Sequence, residues 1–470
     1  MRQVLHGQIR LMRTIMQLYL VRCNCFFIVF LLLYCWRIDM KYKCRHCNFI
    51  HFGSMPDGYI CPLCHAGLFD FDLIEEEEKV YNRVETDERC VVRVEEKCRN
   101  CGACFKTCEK VLASSDRKVC LGCGQCILTC PFGALIPKYD YLDVLDLIRA
   151  HDKKVIAITS PAVRVALGDA FNMDYGTFLE KKMVGALKAV GFDMVFDTSF
   201  GADLTSIYEA RELDERLDNK KNLPMFSSCC PSWVSYANSY VPLLKKNLSS
   251  CKSPIGMIAS VLRKYYYKDA IIVAITPCTS KKLEIVSGDA DYVLTTSELS
   301  NMIRETGLVF EDIKDANFDS FSGSGSGTYF GTSGGVTLSV LKCLYYFRTG
   351  NDLSNNEVLV KDKEFYKEYR LKIGRNVIRC ASVSTMTNLL KVLLIKDEFD
   401  FVEVMNCEGG CIFGGGQVVL PANKKDEIIK ARALALKKNM RKGNSFPYKN
   451  PLVSELCDKY GDELDGVLHN

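Results

Sequence analysis

Twenty-five cysteines stand in a chain of 470 residues, and most of them fall before residue 131. Their spacing points to chemistry more than their number does. Cys44-x-x-Cys47 and Cys61-Pro62-x-Cys64 are two pairs of closely spaced thiols. Such pairs converge on one ion, so the four can enclose a single tetrahedral metal. A zinc ion that folds the segment and a single redox-active iron are both open. So short a segment cannot build a core unaided, which ties its folding to the metal. Next come Cys98-x-x-Cys101-x-x-Cys104-x-x-x-Cys108 and Cys120-x-x-Cys123-x-x-Cys126-x-x-x-Cys130-Pro131. This doubled run suits two 4Fe–4S cubanes, the fourth cysteine of each run serving the other cluster. Cys98, Cys101, Cys104 and Cys130 then hold one cluster, and Cys120, Cys123, Cys126 and Cys108 the second. Cys230, Cys278, Cys407 and Cys411 lie far apart in the chain but at the ends of strand-like runs. Four thiolates are what a third cubane needs. Cys90, Cys251, Cys343, Cys380 and Cys457 fit no pattern and read as packed thiols.

The rest of the chain must position these groups. Composition is that of a globular protein of several domains, 48% hydrophobic and 25% charged, with a formal net charge of +4 that gives no argument for nucleic acid. Thiols kept for metal imply a reducing, cytoplasmic compartment. Of six histidines only His151 and His469 lie beyond residue 138, which argues against histidine-based acid–base chemistry or a zinc hydrolase there. Residues 23–36 form an apolar run of 14 residues after Arg2, Arg10, Arg13 and Arg22, short of the about 18–20 that cross a bilayer. Residues 1–39 are read as an extended start ahead of Met40, with a membrane anchor and a buried helix as alternatives. The acidic stretch 75–78 reads as a solvated helix or linker. From about residue 139, "KKVIAITSPAV", "DMVFDTSF", "DAIIVAITPC" and "EFDFVEVMNC" read as short buried strands. Between them, "YGTFLEKKMVGALKAVG" and "TSIYEARELDERLDN" have helical period. Alternating strands and helices predict an α/β domain with largely parallel sheets, whose sites gather beyond the carboxyl ends of strands. No solenoid repeat is present. The loop "GSGSGTYFGTSGG" (323–335) matches neither phosphate- nor dinucleotide-binding spacing.

The first knot resembles rubredoxin-like and zinc-ribbon domains, and the doubled run is similar to two-cluster bacterial ferredoxins, apart from Glu109 where proline is usual. "FSSCCPSW" (226–233), "TPCTSKKLE" (276–284) and "EVMNCEGGCIFGGGQ" (403–417) resemble, in order, the three signature segments of FeFe (iron-only) hydrogenases. "TSPAVR" (159–164), "FDTSFGADLT" (196–205) and "DYVLTTSEL" (291–299) extend the resemblance over 139–470. It implies a multidomain chain: an extension (1–39), a rubredoxin-like metal knot (40–72), an α+β two-cluster ferredoxin-type module (73–138) and a large α/β FeFe-hydrogenase catalytic domain (139–470). It implies an H-cluster, a 4Fe–4S cubane joined to a two-iron subsite with CO, cyanide and a dithiolate. Carried over, Cys230, Cys278, Cys407 and Cys411 hold the cubane, and Cys411 bridges to the two irons. Lys281 donates to a cyanide, Met405 packs against the diatomic ligands, and Ser160 and Pro161 line the cavity. Neighbouring side chains diverge, so Cys229 is left as a free thiol, and in the family this position passes protons. Glu209, Glu212 and Arg216 share one helical face; a solvated charged face is the plain alternative, and the resemblance makes them a proton path with Ser249.

The implied activity is reversible proton reduction to dihydrogen. Its implied partners are a ferredoxin or flavodoxin for electrons and hydrogenase maturation proteins for assembly. Thr276, Ser227, Ile255–Gly256 and Val418 depart from common family residues around the two-iron site, which leaves bias, rate and oxygen tolerance open. A hydrogen sensor of low turnover and an iron–sulfur assembly protein are the rival readings. The eukaryotic assembly relatives lack the full cysteine, lysine and glycine set present here.

Overall fold

The computed structural model describes residues 41–47, 50–52, 55–62, 64–74, 83–114, 119–354, 357–440 and 445–469. The expectations for 1–39 and 75–78 lie outside the described residues. Among the described residues no helix is long and apolar enough to cross a membrane. One compact unit takes in the chain to Arg83 together with Arg99–Gly102, and the other takes in Val84–Cys98 and the chain from Ala103.

In the first unit, β1 (Lys41–Cys44) pairs antiparallel with both β2 (Ile50–Phe52) and β3 (Phe71–Ile74). Its small core is Cys44, Cys61 and Phe71, with Tyr42, Tyr59 and Ala66 against them. Three side chains of that kind bury too little apolar surface to hold a fold alone.

In the second unit, β4 (Val91–Arg93) and β5 (Leu135–Pro137) form an antiparallel ribbon beside helices α1 (Ala103–Leu112) and α2 (Gln125–Thr129). A four-stranded sheet follows, built from β6 (Val155–Thr159), β7 (Met194–Asp197), β9 (Ile271–Thr276) and β10 (Tyr292–Thr295), all parallel in the order β10-β9-β6-β7. A five-stranded sheet runs β11-β12-β13-β14-β8, with β8 (Met225–Phe226), β11 (Val358–Asp362), β12 (Lys367–Ile373), β13 (Asn376–Ser384) and β14 (Phe401–Met405). The β-branched run of β6 is buried throughout, as a strand covered on both faces must be. Ile156 and Ile158 face one core while Val155 and Ala157 face another, the period-two alternation of a strand.

Each strand foreseen in the sequence forms, but "largely parallel" holds for the first sheet alone. In the second, β11, β12 and β13 pair antiparallel, and only β13-β14 and β14-β8 are parallel. The two-residue turn Gly374-Arg375, with Gly374 at φ +60°, closes a tight hairpin. β11 is an edge strand with four exposed residues of five, too polar to stand out as buried.

The long helix α3 (Thr198–Asn219) starts directly at the end of β7, where the Asp197 carboxylate accepts from Ser199 N at 2.8 Å and caps it. The fully buried Arg164 pairs with Asp197 and donates to Glu180 at 2.6 Å, locking β7 and the start of α3 to the loop after β6. Leu112 of α1 and Leu121 pack in one core with Phe226, with Trp233 of α4 (Pro231–Tyr240) and with Val404. The ferredoxin-type residues from 103 onward therefore share a compact unit with the large α/β fold. Helix α5 (Pro451–Leu468), kinked at Gly461, closes the described chain with Leu464 and Leu468 fully buried.

Candidate functional site

The chemistry-bearing residues sit at carboxyl ends of parallel strands. Ser160 and Pro161 follow β6, Cys278 follows β9 by two residues, Cys229 and Cys230 follow β8, and Met405 ends β14 just before Cys407. All of these, with Lys281 and Cys411, line one largely apolar cavity. Ile255 and Thr276, two of the departures from common family residues, line it too.

Cysteine placement has local causes. Val404 N donates to Ser227 Oγ at 3.2 Å, which ties the segment bearing Cys229 and Cys230 to β14, and Trp233 donates to Ser227 O at 3.0 Å from the helix that follows it. Ser280 Oγ lies 3.0 Å from Cys278 Sγ and receives Ser232 Oγ at 2.9 Å. A Cβ on Gly415 would lie 2.2 Å from Cys123 O, so this position accepts no side chain and the loop bearing Cys411 meets the second ferredoxin-type loop directly. Gln125 of that loop donates to Cys407 Sγ at 3.2 Å, and Thr279 Oγ1 donates to Gly122 O at 2.6 Å. Gln125 escaped the sequence reading, although "CGQC" carries a polar side chain beside a ligand-type cysteine.

Lys281 Nζ donates to Cys229 O at 2.9 Å and to Glu284 Oε1 at 2.8 Å, and Ser253 Oγ donates to Glu284 Oε2 at 2.8 Å. Burial disfavours the Lys281 ammonium, but the Glu284 carboxylate, together with the Cys229 and Cys278 sulfurs, holds the pKa above the ordinary value. Lys281 is therefore a buried, fixed cation at the cavity wall. Burial pushes the Cys229 thiol well up.

Glu209, Glu212 and Arg216 lie along α3, facing the segments that carry Ser228 and Ser249. Glu209 is fully buried on α3, and its Oε1 accepts Ser228 N at 3.4 Å while Oε2 lacks a hydrogen-bond partner. Burial drives its pKa up to about 8, with Ser228 N–H opposing, Glu212 adding and Ser249 opposing. Ser249 Oγ donates to Glu212 Oε2 at 3.0 Å, and Arg216 Nη2 donates to Glu212 Oε1 at 2.6 Å.

Elsewhere in this unit, Cys108, Cys120, Cys123 and Cys126 line a second, smaller cavity. Arg93 donates to Cys98 Sγ at 3.4 Å, and Cys104 and Cys130 share one core cluster. Cys101 falls in the first compact unit. There, Cys44, Cys47, Cys61 and Cys64 have all four sulfurs within 4.8 Å of one another. Cys44–Cys64 and Cys47–Cys61 sulfurs stand 3.5 and 3.4 Å apart, near the about 3.8 Å edge of a tetrahedron with 2.3 Å metal–sulfur bonds. Cys61→Ser is expected to abolish metal binding here and unfold 41–74, read by metal analysis and amide exchange. Retained metal with unchanged protection in the variant would contradict this.

An α/β fold with thiols gathered around a largely apolar cavity at strand carboxyl ends, backed by ferredoxin-type cysteine loops, defines an iron–sulfur redox protein. Residues 153–415 match the family model of the iron-only hydrogenase large subunit, C-terminal domain, and 114–136 match a 4Fe–4S binding domain. The chain belongs to the iron-only hydrogenase family. It is 36% identical to iron hydrogenase 1 of Clostridium pasteurianum, over 72% of this chain and 67% of that protein. It is 38% identical to the periplasmic Fe hydrogenase large subunit of Nitratidesulfovibrio vulgaris, over 57% and 69%. A solved apo variant of the FeFe hydrogenase HydA1 from Chlamydomonas reinhardtii aligns with a TM-score of 0.61 at 29% identity, over 70% of this chain and 98% of that one. More distantly, the chain is 26% identical to the cytosolic Fe–S cluster assembly factor narfl of Danio rerio, over 60% and 76%.

Proposed function

We propose that the protein is a ferredoxin- or flavodoxin-coupled hydrogenase that reversibly reduces protons to dihydrogen in the cytoplasm. The observation that carries this reading is the single cavity lined at once by Cys230, Cys278, Cys407, Cys411, Lys281 and Cys229. When bound, an H-cluster supplies the redox and dihydrogen-binding chemistry. The lining suits such a group. The Asn406 amide is buried there with neither its nitrogen nor its oxygen bonded, a cost unless something else meets them.

Cys230, Cys278, Cys407 and Cys411 would hold the cubane, with Cys411 shared with the two-iron part. Lys281 offers its ammonium protons to an anionic ligand, where a low-dielectric wall strengthens the attraction. Met405, Ser160 and Pro161 keep water out. Cys229 carries a proton between the cavity and Glu209, and Ser249, Glu212 and Arg216 continue the path outward. Cys108, Cys120, Cys123 and Cys126 would hold one ferredoxin-type cluster, and Cys98, Cys101, Cys104 and Cys130 the other. Cys44, Cys47, Cys61 and Cys64 hold one iron or zinc in a rubredoxin-like segment, and maturation proteins deliver the two-iron part.

The test is infrared spectroscopy of protein matured with hydrogenase assembly proteins, together with dihydrogen evolution from reduced viologen. CO and cyanide bands with turnover are expected. Well-matured protein without those bands would sink the reading. A second reading, iron–sulfur assembly, draws on the likeness to the assembly factor. It predicts no diatomic bands and cluster transfer to apo-acceptors.

A further inference from the structure

Beyond residue 138 the sequence holds two histidines, and one of them lies at the outer end of the relay just described. We propose that His469 is the group through which the relay exchanges protons with bulk water, handing them by way of Ser250 to Glu212; this rests on the relay reading above.

Glu212 Oε2 is the meeting point. It accepts Ser249 Oγ at 3.0 Å from the inner side, and Ser250 N and Ser250 Oγ at 3.0 and 3.2 Å from the outer side. Ser250 Oγ in turn lies 2.8 Å from His469 Nδ1. A hydroxyl has one proton, and an ionised carboxylate can only accept. With the Ser250 proton directed to Glu212, Nδ1 must be the donor to Ser250. Ser249 is buried, whereas Ser250 is exposed and His469 half-buried, so the path leaves the protein here.

Backbone pairing holds the imidazole in place. Cys251 and His469 form an antiparallel bridge, and Lys252 N donates to Leu468 O at 2.9 Å. The fully buried Leu464 and Leu468 anchor α5 behind it. The Tyr208 ring of α3 meets the imidazole edge-on at 5.7 Å. The charged and titratable groups around this site are Glu212, Arg216, Tyr208 and Arg211 of α3, Asp465 of α5, and Cys251 and Lys252 of the facing segment.

Inward transfer balances without any change of electrons. The imidazolium gives its Nδ1 proton to Ser250 Oγ as the hydroxyl's own proton passes to Glu212 Oε2. The imidazole is left as the Nε2–H tautomer, so the cycle closes when exchange with water restores the proton at Nδ1, and histidine is the side chain whose ordinary pKa allows this near neutral pH.

The experiment uses the full-length matured protein as His469→Gln, His469→Ala and Glu212→Gln. Both His469 variants are expected to keep the CO and cyanide bands while turnover falls roughly tenfold. That is less than the about hundredfold or more of a positioned acid–base group, because water reaches Ser250. Added imidazole should restore His469→Ala. In histidine-labelled protein, the nitrogen signals should show the Nδ1–H tautomer of His469 hydrogen-bonded to Ser250 Oγ. Turnover unchanged in both His469 variants while Glu212→Gln is slow would overturn the proposal and leave the relay standing, as would a resting His469 whose Nδ1 carries no proton. Turnover unchanged in Glu212→Gln, or absent from wild type, would remove the relay reading and this proposal with it.

Discussion

Cys229→Ala is expected to leave the infrared CO and cyanide bands of the matured protein intact while turnover drops by about 10²–10⁴-fold, the range of a positioned proton-transfer group. The argument is geometric. Cys229 and Cys230 are adjacent after β8, and side chains of adjacent extended residues diverge, so one thiol can serve a cluster while the other does not. Cys229 is buried, lines the cavity, and has its own carbonyl bonded by Lys281 Nζ at 2.9 Å. Removing its sulfur would take away the proposed proton carrier and leave the backbone contact in place. Cys230→Ala should behave in the opposite way, losing the bands themselves. The pair is measured by infrared spectroscopy beside viologen-driven dihydrogen evolution. If Cys229→Ala lost the bands, the thiol would be a structural or ligating group and the assignment would fail.

How much of this was legible in the sequence differs between local pattern and tertiary placement. The runs that became β6, β7, β9 and β14 were readable because a buried parallel strand is apolar throughout and ends abruptly, as at Thr159-Ser160-Pro161. The cysteines at those ends were readable for the same reason, since a strand that stops in a polar or thiol residue marks the face where sites form. The antiparallel hairpin of β11, β12 and β13 was not, because its edge strand is mostly exposed and mimics a loop. Contacts between distant segments left no local trace. Gln125 meets Cys407 across 282 residues and Ser250 meets His469 across 219. A scarcity of histidine argued against histidine chemistry, yet composition cannot say where a single residue lands. The helical period did forecast that Glu209, Glu212 and Arg216 share a face of α3. It could not forecast that Glu209 is sealed from water while Glu212 and Arg216, one and two turns on, are partly open to it.

That difference in burial sets up the second large effect. Glu209→Gln is expected to cut turnover by about 10²–10⁴-fold, because an amide at this point neither takes nor gives the proton. Burial, the main cause, raises the Glu209 pKa from 4.5 to about 8. The carboxyl is therefore neutral and proton-loaded at pH 7. On the proposed relay, proton reduction should fall as pH rises through about 8, where Glu209 loses the proton it would hand to Cys229. The same shift has a consequence for stability. Between 4.5 and about 8 the folded protein binds a proton at Glu209 that the unfolded chain has lost. Stability from this group therefore declines as pH rises across that window, and Glu209→Gln should flatten the decline. The direct observable is the infrared carbonyl band of a protonated carboxylic acid. It should fade as pH passes about 8 in wild type and be missing in Glu209→Gln. A variant that retains wild-type turnover, or a wild-type band already gone at neutral pH, would mean that protons reach Cys229 by another route. The unpartnered Oε2 of Glu209 would then be only a buried cost.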